Sequence, residues 1–124
     1  MLLRVDHVDI RVSNLEEAET FFSGLGLIVV RRLDAPRNSI EMALPGRDQV
    51  VFEIKPVKEG GQTGIAHIGF AMDDDCGEIL NNSALTFTCK ERYVPATGRT
   101  VSNLTGFDQS VWQLTRSNSA GDEG

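Results

Sequence analysis

Polar and apolar positions change period several times along the chain, and each change marks an element. From Val5 to Val12 they alternate, with Val8, Ile10 and Val12 on one face and His7, Asp9 and Arg11 on the other, which predicts a strand with one polar face. Ser13-Asn14-Leu15-Glu16-Glu17 then offers overlapping capping boxes. Leu15, Ala18, Phe21, Phe22 and Leu25 follow helical spacing until Gly24 and Gly26 end it. Strand patterns return at about Leu27–Asp34, Ser39–Leu44 and Gln49–Lys55, separated by turns at Ala35-Pro36-Arg37-Asn38 and Pro45-Gly46-Arg47-Asp48. This order, β-α-β-β-β, recurs after a linker rich in lysine, glutamate and glycine. The second copy has a strand at Ile65–Met72, a shorter helix around Cys76–Asn82, and strands near Leu85–Val94, Arg99–Asn103 and Ser110–Thr115. Ser117–Gly124 holds no large apolar residue and is predicted to be disordered.

The recurrence is also visible residue by residue. Laying residues 1–60 over 61–120 gives nine identities: His7/His67, Ser23/Ser83, Leu25/Leu85, Arg32/Arg92, Leu44/Leu104, Gly46/Gly106, Asp48/Asp108, Gln49/Gln109 and Val51/Val111. A repeat present only twice predicts a paired fold with an internal pseudo-twofold axis, because open arrays need more stacked neighbours. The expected architecture is α+β: one domain over residues 1–116, with βαβββ modules at 1–57 and 64–116 and a linker at 58–63.

Bulk properties narrow the function. A chain of 124 residues suits one domain with a modest core, and a net charge of −6 argues against binding along a nucleic-acid backbone. Small-molecule or protein partners remain. Arg4 and Asp6 interrupt the first apolar residues, and no apolar run approaches a membrane span, so a cytoplasmic location and no membrane partner are expected. Cys76 and Cys89 lack CxxC spacing and read as reduced thiols, and Asn81-Asn82-Ser83 and Asn103-Leu104-Thr105 are then incidental sequons. Gly24-Leu25-Gly26 follows a helix and lacks a third glycine, which sets it apart from a phosphate loop.

The two histidines of the chain, His7 and His67, occupy equivalent repeat positions, and Glu53 and Gln113 follow them at the same interval of 46 residues. Alternation directs all four away from the apolar faces: Val50, Phe52 and Ile54 oppose Glu53, while Trp112 and Leu114 oppose Gln113. Imidazole nitrogen with carboxylate or amide oxygen suits a borderline divalent ion, with open positions for water or substrate. The alternative is that the histidines only cap polar strand faces and Glu53 is solvated.

At these residues the chain resembles the vicinal oxygen chelate superfamily, which includes glyoxalase I, methylmalonyl-CoA epimerase, fosfomycin and bleomycin resistance proteins and extradiol dioxygenases. The resemblance covers residues 3–116. His7-Val8-Asp9-Ile10-Arg11-Val12-Ser13-Asn14-Leu15-Glu16 is similar to the opening strand and helix start, Phe21-Phe22-Ser23-Gly24-Leu25-Gly26-Leu27 to the helix end, and His67-Ile68-Gly69-Phe70-Ala71-Met72-Asp73 to the second opening strand. It implies two βαβββ modules forming a U-shaped cleft, a homodimer, and metal ligands at His7, Glu53, His67 and Gln113. Gln113 departs from the glutamate of glyoxalase I-like members. The epimerase-like set of His, Gln, His and Glu is present with its halves exchanged, leaving Glu53 as the one carboxylate of the four. The turn Leu104-Thr105-Gly106-Phe107-Asp108-Gln109 departs from the Asp-Pro-Asp-Gly pattern common there.

The activity so implied is that of a glyoxalase-type lyase or isomerase. A divalent ion (zinc, nickel, cobalt, manganese or iron) would chelate vicinal oxygens of a small substrate while Glu53 moves a proton through an enediolate-like intermediate. Arg11 matches a position that contacts a glutathione carboxylate in glyoxalase I, or else is a solvated strand arginine. Asp9 and Glu41 are the further substrate-binding residues, and an epimerase resembling methylmalonyl-CoA epimerase would use one of them as a second base. The other alternative is a non-catalytic binder of the bleomycin resistance type. Aromatic content of 6% and the core-facing placement of Phe52, Phe70 and Trp112 favour the enzyme. An extradiol dioxygenase would need glutamate at position 113.

Overall fold

The computed structural model describes residues 1–117, so the tail expected to be disordered lies, except for Ser117, outside the described residues. The chain divides into two compact units, one of residues Asp6–Ala66 and the other of Met1–Val5 with the residues from His67 onward.

The first unit contains β1 (Leu2–Val12, from Asp6 on), α1 (Leu15–Gly24), β2 (Ile28–Leu33), β3 (Ser39–Ala43) and β4 (Val51–Pro56). Its strands lie in the order β2-β3-β4-β1. β1 and β4 run parallel, as a βαβββ connection requires, and the other pairs are antiparallel. Asn14 caps α1, its Oδ1 accepting from the Glu17 amide at 2.9 Å, while Glu16 and Glu17 oppose the positive end of the helix dipole. Leu15, Ala18 and Phe22 from the helix pack on a core of Leu27, Ile40, Met42 and Ile54, and Phe22 stacks on Phe52 with centroids 5.5 Å apart. Val12, Val29, Ile40, Met42, Phe52 and Ile54 of the strands thus pack on the helix side, while Asp9, Glu41 and Glu53 take the opposite face.

The second unit repeats this plan with β5 (Gly64–Met72, from His67 on), α2 (Gly77–Leu80), β6 (Thr86–Val94), β7 (Arg99–Thr105) and β8 (Val111–Ser117), in the order β5-β8-β7-β6. β5 and β8 are parallel. Met72, Cys76, Leu80, Leu104 and Leu114 form its core, and Phe70 stacks on Trp112. α2 is a single turn, shorter than the Cys76–Asn82 expected, because it opens on Gly77 without a side-chain cap. Both cysteines are free thiols.

One difference between the units was not visible in the repeat. β3 pairs with β4 as Glu41↔Glu53, whereas β7 pairs with β8 as Asn103↔Gln113 and continues to Thr105↔Val111. The second ladder is therefore displaced by two residues relative to a strict 60-residue repeat. Pro45, which has no amide to donate, ends β3's extension where the equivalent Thr105 still pairs. A displacement of two keeps every side chain on its original face, where a displacement of one would have reversed them.

Candidate metal centre

In the first unit, register aligns Asp9 of β1, Glu53 of β4 and Glu41 of β3 in one row across adjacent strands. All three are buried, at 0, 6 and 3% exposure, so their charges need partners. Arg11 Nε donates to Asp9 Oδ1 at 2.7 Å. Lys55 Nζ lies 3.1 Å from Asp9 Oδ2 and 3.1 Å from Glu53 Oε1, and Arg31 Nε stands 4.0 Å from Glu41 Oε1. Carboxylate oxygens of Asp9 and Glu53 approach within 4.8 Å of each other. Three buried carboxylates thus face three cations.

His7 is two residues before Asp9 on the same face of β1, opposite Val51, and is fully buried. Its Nδ1 sits 2.8 Å from Asp6 Oδ2. A proton on Nδ1 donates to that carboxylate, the kind of orienting bond usual for ligating histidines.

The second unit presents the corresponding row as Gly69, Gln113 and Asn103. His67 is two residues before Gly69, on the same face of β5, and half-buried. Gln113 Nε2 donates to Asn103 Oδ1 at 2.9 Å, which assigns the amide orientation and leaves Oε1 as the atom of that side chain chemically able to coordinate an ion. The next row along β8 carries Thr115, whose buried Oγ1 has no hydrogen-bond partner, as has Ser39 Oγ on β3.

Each unit therefore places one histidine and one oxygen donor on the polar face of its own strands, and one polar atom of His7 and one of Gln113 are held by a neighbouring side chain. These donors fit a borderline divalent ion. Arg11, Asp9 and Glu41 belong to the same face of the first unit, where Asp9 is bound to Arg11 and Lys55. Three residues of the arrangement were not foreseen. Asp6 holds His7, Asn103 holds Gln113, and Lys55 bridges two carboxylates; only Lys55 left a sequence signal, its place on the Glu53 face of β4.

The family model described as the Glyoxalase/Bleomycin resistance protein/Dioxygenase superfamily matches residues 4–80, and the chain belongs to that superfamily. Its fold is shared with solved vicinal oxygen chelate proteins. A methylmalonyl-CoA epimerase from Mycobacterium tuberculosis is 18% identical with a TM-score of 0.74, covering 99% of this chain and 93% of that one. A methylmalonyl-CoA epimerase in complex with methylmalonyl-CoA and NH4+ is 17% identical, with a TM-score of 0.72 and coverage of 96% and 97%. The 2,3-dioxygenase LapB from Pseudomonas sp. KL28 is 23% identical with a TM-score of 0.70, over 94% of this chain and 41% of its own. No curated protein matches. Among the described residues no helix is long and apolar enough to cross a membrane.

Proposed function

We propose that the chain is a divalent-metal-dependent lyase or isomerase of the glyoxalase type, in which His7 and Glu53 of the first unit and His67 and Gln113 of the second hold one ion. The observation that carries this reading is the pair of orienting bonds, Asp6 to His7 Nδ1 and Asn103 to Gln113 Nε2. Neither is needed to fill a core, and each presents a ligating atom. Zinc, nickel, cobalt, manganese and iron all suit the donor set, and the bound ion would supply Lewis-acid polarisation of two vicinal substrate oxygens.

Glu53 is the one carboxylate of the four and would take the proton from the substrate carbon onto its carboxylate oxygen. Arg11, one quarter exposed beyond its bond to Asp9, would meet an anionic substrate group. Asp9 would hold Arg11 and Lys55 in place. An epimerase acting on 2-substituted acyl thioesters is the second reading, favoured by Glu41, a buried carboxylate beside Glu53 that could serve as the other proton carrier. A sequestering protein is less favoured, since Phe22, Phe52, Phe70 and Trp112 pack with the apolar clusters. The chain would act as a homodimer, with exposed Ile28 and Val30 on strand β2 as contact residues.

Protein purified without chelator or affinity tag should contain about one divalent ion per chain, and His67→Ala should lose it. Proton exchange or isomerisation would then be followed on hemithioacetals, acyl thioesters and hydroxyketones. Glu53→Gln should keep much of the metal, because amide oxygen still coordinates, yet turn over about 10²-fold more slowly. Unaltered turnover in Glu53→Gln removes its role as base, and full metal content in His67→Ala removes the site.

A further inference from the structure

The first unit carries an ammonium where two of its buried carboxylates meet. Lys55 Nζ is 3.1 Å from both Asp9 Oδ2 and Glu53 Oε1, and its side chain is only 18% exposed. Asp9 has a second cation in Arg11, whose Nε donates to it at 2.7 Å. The second unit has Thr115 at the position equivalent to Lys55 and Gly69 at that of Asp9, so no repeat-related cation stands beside Gln113.

From this arrangement we infer that Lys55 is a built-in competitor of the metal: it neutralises Glu53 in the metal-free protein and sets how tightly a divalent ion is held. The inference rests on the proposed role of Glu53 as a ligand. An ion binding at Glu53 either displaces the ammonium already paired with Oε1 or shares the carboxylate with it, and in both cases works against that cation. The displaced Lys55 keeps Asp9 as a partner, because its four-carbon stem lets Nζ withdraw without unfolding the strand. Asp9, bound also by Arg11, thereby serves as the resting place of the ammonium when Glu53 turns to the metal. A site with this device binds its ion more weakly than the same donors would without it, since a cation a few ångströms away acts on the ion through a partly buried, low-dielectric medium.

The test is isothermal titration of chelator-stripped protein with Zn²⁺ and Co²⁺, comparing wild type with Lys55→Met, Lys55→Gln, Lys55→Arg and Arg31→Gln. Lys55→Met should bind at least about 10-fold more tightly and show a larger rise in melting temperature on metal addition. Lys55→Gln reports the same effect if the methionine variant does not fold. Lys55→Arg, which keeps the charge, should stay within a few-fold of wild type. Arg31→Gln, which removes a cation facing Glu41 instead, should also stay close to wild type. Unchanged or weaker binding in both neutral variants, with wild type binding one ion, overturns the role of Lys55 alone. An equal gain in Arg31→Gln replaces it by general electrostatics. Absence of binding in wild type and in every variant overturns the metal reading itself.

Discussion

The two units build the same face from one backbone plan and fill it with opposite chemistry. Around His7 the first unit places Asp9, Glu53, Glu41, Arg11, Lys55 and Arg31, all of them charged. Around His67 the second places Gly69, Gln113, Asn103, Ala71 and Thr115 on β5, β8 and β7, none of them charged, and its cation in register with them is Arg92 on β6, paired to Val101 beside Thr115. The repeat-related histidine and its partner 46 residues on are retained in both while their neighbours differ. Under the proposed function, a duplicated backbone keeps the donor positions in each half and confines the buried carboxylates to one.

If that division is correct, removing a charge from the first unit should cost more stability than removing the matching neutral group from the second. Asp9→Ala leaves Arg11 and Lys55 without their shared carboxylate. Breaking a buried pair costs about 3–5 kcal/mol, and because both cations keep some exposure the lower end, about 3 kcal/mol, is expected. Gln113→Ala loses one neutral hydrogen bond and a half-buried side chain and should cost about 1 kcal/mol. Urea unfolding in the presence of chelator measures both, and equal losses would break the comparison.

The orienting bonds sharpen it at the level of the metal. Asp6→Ala and Asn103→Ala each free a ligand to rotate, and loss of such partners lowers metal affinity by roughly 10- to 100-fold. The charged acceptor should matter more, because a hydrogen bond to an ionised group is about twice as strong as a neutral one. Asp6→Ala is therefore expected near the upper end of that range and Asn103→Ala near the lower, read by metal titration.

These outcomes turn on features that were unevenly legible in the sequence. Both βαβββ orders follow from the change between strand and helix periods, and the placement of His7, Glu53, His67 and Gln113 on the polar strand faces follows from the 46-residue interval together with alternation. Asp6 was hidden because neighbouring strand residues ordinarily point to opposite faces, so pattern alone separates it from His7. Asn103 was hidden by the two-residue displacement: a strict repeat pairs Glu41 with Val101, and only the continued β7–β8 ladder shows Asn103 beside Gln113. Lys55 lay on the correct face, but its bridge to Asp9 depends on the parallel β1–β4 register, a long-range fact that local pattern does not carry.

The smallest expected effects concern a glycine kept at the same repeat position for two different reasons. Gly46 has a φ of +125°, which a side chain rarely adopts, and the atom nearest to an added Cβ is the flexible end of Gln49 at 3.1 Å. Gly106 has an ordinary φ of −116°, but a Cβ there would meet Trp112 Nε1 at 3.1 Å and Ser110 Oγ at 3.1 Å. Those two atoms are themselves hydrogen-bonded at 2.7 Å, and the indole is stacked on Phe70, so they have little freedom to withdraw. Both alanine substitutions should cost about 1–2 kcal/mol, one through backbone strain and the other through crowding. Double-mutant cycles separate the causes. Trp112→Leu should relieve most of the cost of Gly106→Ala, whereas Gln49→Ala should leave the cost of Gly46→Ala intact. A strong coupling between positions 46 and 49, or none between 106 and 112, would show that the repeated glycine serves the two hairpins in the same way.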